Sequence, residues 1–227
     1  MLESAGQSSS LYTIGHSDHE TPRFLDLLGL HKITAIADVR SSPYSQRFPQ
    51  FDRECLAASL RKCGIKYVFV GDELGARRVE PECYVDGQAR YDLIAETTSF
   101  RAGIRRVVEG MSQHRVALMC AEKDPITCHR SILVCRHLRT ANLAIKHVLA
   151  DGTIETGEES ENRLLKLFRL GEHTLFEDNA ALVERAYDLQ AAKIAYKRPP
   201  VAAHSLEHGM IHGTDPIVHD WLYEEER

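Results

Sequence analysis

No apolar run in this 227-residue chain approaches the length of a membrane span, and the opening MLESAGQSSS has neither a basic segment nor an apolar one behind it. A membrane partner is therefore not expected, and residues 1–9 read as a disordered lead-in to a cytoplasmic protein. Positive charge is also short. Lys and Arg number 28 against 33 Asp and Glu, a net charge of -5. That excludes a protein whose whole surface coats a phosphate backbone, though it leaves room for a local basic patch. Internal repeats at solenoid periods are absent, and nothing beyond a short serine run is low in complexity. Cysteine is sparse: six residues at 55, 63, 83, 120, 128 and 135, without a secretion signal, read as free thiols rather than a disulfide framework. Short C-x₂₋₄-C knuckles are missing, since seven residues separate Cys120 from Cys128, so the spacing gives no metal expectation and no cofactor.

What is present is a core. At 43% hydrophobic, the chain can fill the interior of one domain with an appendage. Strand and helix signals alternate. L11YTIG15, I33TAIADV39, I65KYVFVG71, R115VALMC120 and I145KHVL149 are apolar runs without polar alternation. Between them, T21PRFLDLLGLH31 offers Thr21 as a cap with proline behind it, and D52RECLAASLRKCG64 offers Asp52 as a cap and a closing glycine. Residues 91–111 read as one helix with Gly103 as a weak point, and Thr127 is expected to cap a helix from Cys128 to about Asn142. Buried parallel strands covered on both faces produce this pattern. The fold expected is α/β: a Rossmann-like parallel sheet of about five strands, with helices on both faces, over residues 10–170. Residues 171–227 are expected to form a C-terminal helical extension and a His-rich tail, with helices near 158–170 and 176–197 and a break at Pro199-Pro200. His204, His208 and His212 recur every four residues, but Gly209 and Gly213 argue for a solvated segment rather than a helix.

In open parallel sheets, ligands bind beyond the carboxyl ends of the strands. The unusual polar residues all follow strand ends: G15HS17, D38VRSSPYS45, G71DELGARR78 and C120AEKDPITCHR130. Arg40 and Arg130 are expected to hold an anion. Asp38 either contacts ligand or pairs with an arginine, because an unpaired charge at the end of an apolar strand is costly. His16 and Glu122 are candidate proton-transfer groups, and Ser17 a phosphate hydrogen bond or a loop cap. Tyr44, Arg47 and Phe48 suit a base and its phosphate, or merely cover the core. Cys128 has two readings. At a helix N-terminus beside His129 and Arg130, it is a thiol of lowered pKa and the most reactive of the six; otherwise it packs as a small apolar residue while Arg130 pairs with Asp38 or Glu122. Cys120 belongs with the same ligand-binding group.

T13IGHS17, D38VRSSPYS45, the Leu74-Gly75 step and C120AEKDPITCHR130 together resemble the bacterial and archaeal family called domain of unknown function 488, over about residues 11–150 in family order. The resemblance implies an α/β fold with a strand-end cluster and names no reaction. Ala76 departs from it, standing where members often carry a second glycine. Two functions follow for testing. The first is an enzyme, a hydrolase or transferase, acting on a phosphate-bearing small molecule such as a nucleotide or nucleic-acid fragment. The second is a non-catalytic thiol-based redox or metal sensor. Oligomeric state is not legible.

Overall fold

The computed structural model describes residues 10–139, 143–171 and 178–199. Five strands, β1 (Ser10–Gly15), β2 (Ala35–Asp38), β3 (Lys66–Phe69), β6 (Val116–Cys120) and β7 (Ala144–Val148), lie parallel in one sheet. A sixth strand, β8 (Ile154–Thr156), runs antiparallel to β7, giving the order β3-β2-β6-β1-β7-β8. This strand adds to the five expected and is only three residues long, too short for a pattern of its own; Asp151-Gly152, with Gly152 at φ 97°, turns the chain back into it. A two-stranded ribbon, β4 (Tyr84–Val85) with β5 (Gln88–Ala89), stands apart.

The apolar runs divide between the two faces with a period of two. On one face Tyr12, Ile14, Ile36, Ala117 and Met119 meet Phe24, Leu27 and Leu28 of α1 (Thr21–Leu30) and Leu56 and Leu60 of α2 (Arg53–Lys62). On the other, Leu11, Ala35, Ala37, Val116, Leu118 and Cys120 meet Phe100 and Val107 of α5 (Thr98–Met111), Ile132–Cys135 and Leu138. Leu164 of α7 (Gly157–Leu167) and Val183, Ala186 and Tyr187 of α8 (Asn179–Ile194) join that second cluster, so α8 packs on the same core as the sheet. This is the Rossmann-like α/β arrangement expected.

Local details differ from the sequence reading. Thr21 is the first helical residue of α1, behind Glu20 at the cap. The helix expected over 91–111 is two, α4 (Tyr91–Glu96) and α5, broken at Thr97, whose side chain caps α5 by accepting the Phe100 N–H. Gly103 is not the weak point. A Cβ there would lie 2.7 Å from Glu73 Cβ, so it lets α5 approach α3 (Gly71–Leu74) closely. Thr127 caps nothing: its hydroxyl bonds the Asp124 carbonyl at the end of a single 3₁₀ turn. The following helix begins with a π turn, Arg130–Cys135, and runs into α6 (Arg136–Arg139). The tail beyond residue 199, with His204, His208 and His212, lies outside the described residues.

Candidate functional site

The carboxyl ends of β1, β2 and β6 lie side by side, with Gly15 in register with Cys120 and Asp38 with Met119. The loops after them diverge around a cleft of about 700 Å³. Of the sequence candidates, His16, Ser17, Arg40, Tyr44, Arg47, Cys120, Glu122 and His129 line it; Asp38, Cys128 and Arg130 lie behind its wall. Gly15 makes this arrangement possible, since a Cβ there would meet the Glu122 carbonyl oxygen at 1.9 Å. The loop carrying Glu122 therefore rests directly on the end of β1.

Asp38 is fully buried and takes Arg40 as its partner. Arg40 Nη2 donates to Oδ2 at 2.6 Å, Nε to Oδ1 at 2.9 Å, and the Arg40 N–H to Oδ1 at 3.1 Å; Tyr67 Oη donates to Oδ2 at 2.7 Å. Arg40 Nη2 also donates to the Phe51 carbonyl at 2.9 Å. Only Nη1 is lightly held, at 3.4 Å from His16 Nε2, so one arm of Arg40 faces the cleft. The His16 ring stacks on Phe51 at 4.4 Å, and burial, reinforced by Arg40, pushes its pKa down to about 4. It is neutral at physiological pH, with Nδ1 against the Ser17 carbonyl at 3.0 Å and Nε2 toward Arg40. Ser17 adopts φ 50° and donates its hydroxyl to Asp18.

Arg130 is also fully buried, but it meets neither Asp38 nor the Glu122 carboxylate. Its Nη1 donates to the Glu122 carbonyl at 2.6 Å, Nη2 to the Lys123 carbonyl at 3.2 Å and Nε to Thr13 Oγ1 at 3.3 Å. It thus pins the loop after β6 instead of opening onto the cleft. An arginine at this strand end was legible; its use of carbonyls, which have no sequence signature, was not.

Four side chains converge at the cleft floor. The thiols of Cys120 and Cys128 both donate to Glu122 Oε2, at 2.9 and 3.0 Å, and Cys120 Sγ lies 3.5 Å from His129 Nδ1. His129 Nε2 donates to the Val39 carbonyl at 2.9 Å. Cys128 is extended at φ -125°, ψ 140°; its carbonyl accepts the Ser131 and Ile132 N–H groups, and its Sγ lies 3.4 Å from the Arg130 N–H. The cysteine itself thus occupies the capping position expected of Thr127. Burial would raise the Cys128 pKa, but the contact with Cys120, the Arg130 charge and His129 outweigh it and hold the thiol well below its ordinary value. Burial drives Cys120 the other way, and burial with the neighbouring Cys128 raises Glu122. Low pKa and access do not coincide: Cys128 is 1% exposed, whereas Glu122 is open to the cleft.

Sequence reasoning missed part of the wall. Ser41, Ser42, Ser45, Arg77, Tyr91 and Tyr196 also line the cleft. Arg77 stacks over Tyr196 at 4.8 Å, and its N–H donates to Ser41 Oγ. Tyr44 is exposed and donates to Glu54, while Arg47 lies over Phe48 at 5.2 Å. The serines and Arg77 stood in the loops flagged as polar strand ends. Tyr196 had no signal, because it arrives from beyond α8 when its carbonyl accepts the Ala89 N–H.

A family model described as Domain of unknown function DUF488 matches residues 20–136. The match takes in the loops after β2, β3 and β6 and leaves T13IGHS17 outside it. No curated protein and no solved structure matches the chain.

Proposed function

The chain belongs to the family of the domain of unknown function DUF488, and from that premise we propose that it is an enzyme acting on a phosphate-bearing small molecule, such as a nucleotide or nucleic-acid fragment, in the strand-end cleft. One observation carries the reading. Arg40 Nη1, Arg47 and Arg77 border the same 700 Å³ space as four serines, Ser17, Ser41, Ser42 and Ser45, and the aromatic rings of Tyr44, Phe48 and Tyr196. Guanidinium groups and hydroxyls suit phosphate oxygens, and exposed rings suit the face of a base. In a chain of net charge -5, such a patch is a local device for an anion rather than the consequence of a basic surface. Hydrolysis or group transfer at the bound phosphate is the reaction class proposed. Glu122, Cys128 and His16 are the chemistry-bearing side chains at or beneath the floor.

A second reading, a thiol-based sensor, draws on the meeting of Cys120 and Cys128 at one carboxylate oxygen. Titration calorimetry separates the two. Nucleoside mono-, di- and triphosphates are titrated into the protein beside the unphosphorylated nucleosides, with and without a non-thiol reductant. Phosphate-dependent binding that is insensitive to reductant, and weakened by Arg47→Gln with Arg77→Gln, is the expected result. No binding of any phosphorylated ligand, with a melting temperature that moves on oxidation, favours the sensor.

A further inference from the structure

The geometry points to a binding site for one divalent transition-metal ion of the zinc class, formed by Cys120 Sγ, Cys128 Sγ, His129 Nδ1 and Glu122 Oε at the cleft floor. The four donor atoms all lie within 4.8 Å of one another. Ligands held tetrahedrally at about 2.0–2.3 Å from an ion stand roughly 3.3–3.8 Å apart. The Cys120–His129 separation of 3.5 Å already falls in that range. The two sulfur–carboxylate separations, 2.9 and 3.0 Å, are S–H···O contacts that need to open by less than an ångström. Glu122 is the ligand free to do so, because it alone of the four is exposed.

The surroundings are those a metal site requires. His129 donates Nε2–H to the Val39 carbonyl, which orients the ring and leaves the Nδ1 lone pair toward the sulfurs. The Arg130 N–H points at Cys128 Sγ. Charge supplies an independent argument. Two thiolates and a carboxylate carry three negative charges, and a divalent ion leaves one. Arg130 is fully buried beside them, bonded to carbonyls and Thr13, and pairs with no carboxylate among the described residues. Ion, ligands and Arg130 sum to neutrality, as a buried charged assembly needs. Two sulfurs and an imidazole select zinc-like ions over magnesium or calcium.

The spacing C-x-E-x₅-C-H resembles no zinc knuckle because the fold, not a local loop, assembles it: a strand end supplies Cys120, the next loop Glu122, and a helix start Cys128 and His129. Cys128 closes the back of the site while Cys120, Glu122 and His129 face the cleft. Glu122 thus stands on the open side, where water or a ligand oxygen completes three-ligand zinc sites. The metal site rests on this cluster alone and does not depend on the anion reading.

The test uses the full chain, stripped with a chelator under a non-thiol reductant, then titrated with Co²⁺ and competed with Zn²⁺. One equivalent of cobalt with a thiolate-to-cobalt charge-transfer band, displaced by zinc, is expected. Ions held by the tail histidines give no such band. Cys128→Ser and Cys120→Ser should each weaken binding beyond the roughly 10–100-fold that outer-shell changes cost, while Cys63→Ser leaves it unchanged. Should the buried-cysteine variants fail to fold, Glu122→Gln retains both sulfurs: weaker cobalt binding with the band preserved is expected. No stoichiometric binding, binding without the band, or unchanged affinity in Glu122→Gln overturns the four-ligand site.

Discussion

Replacing Asp38 with asparagine conserves shape and removes one negative charge. Asp38 has no exposure and Arg40 has 5%, so the partner left behind is a guanidinium with little access to water. Asparagine keeps one acceptor oxygen but no counter-charge, and the other contacts of Arg40 are the uncharged Phe51 carbonyl and His16 ring. Breaking a buried pair by removing one member costs about 3–5 kcal/mol, against about 0–1 kcal/mol for an exposed pair. The burial decides for the larger figure. In a chain of this size each kcal/mol lowers Tm by about 2–4 °C, so a fall of about 6–20 °C is expected. Urea and thermal melts followed by far-ultraviolet circular dichroism measure it. The double variant Asp38→Asn, Arg40→Met completes a cycle: it should lose clearly less than the sum of the two single changes, because no charge then remains stranded. A loss under about 1 kcal/mol, or additive single effects, would refute the view that Arg40 is held by a desolvated partner.

Burial, then Arg130 and Arg163, pushes His147 down to about 3 from an ordinary 6.5. The unfolded chain therefore binds the extra proton first: His147's contribution to stability is flat above about pH 6.5 and falls by about 1.4 kcal/mol per unit below it, ending near the folded pKa. His147→Gln should remove that part of the slope in urea melts between pH 5 and 6.5, and an unchanged slope contradicts the assignment. In thiol labelling at neutral pH, exposed Cys55 and Cys63 should react first and buried Cys128 slowly despite its lowered pKa; a fast phase removed by Cys128→Ser reverses that order. Truncation after Lys197 should leave a soluble, cooperatively melting protein. It should be less stable than truncation after Pro199, because Arg198 donates to the carbonyls of Gly87, Arg78 and Val79 and stacks on Tyr84 at 3.5 Å. Equal melting temperatures for the two would show those contacts to be idle.

The sheet was legible because buried parallel strands must be apolar on both faces, and L11YTIG15 or V116ALMC120 has no other economical reading. Grouping polar residues by strand end was enough to find the cleft. Side-chain direction was not legible. Arg40 and Arg130 both come after strand ends, two residues beyond β2 and ten beyond β6, yet one leaves an arm toward the cleft and the other is consumed by loop carbonyls. The same limit hid the helix break at Thr97, where one side-chain cap overrides an unbroken apolar period. It also hid Tyr196, which reaches the cleft through a backbone bond to Ala89 more than a hundred positions earlier in the chain.

Diffraction from crystals grown with a nucleoside monophosphate locates the ligand itself. Phosphate density is expected in the strand-end cleft, within hydrogen-bond reach of Arg47, Arg77 or the Ser41–Ser45 loop, with the base against Tyr44, Phe48 or Tyr196. A nucleotide bound elsewhere on the protein, with this cleft holding only solvent, would contradict that expectation.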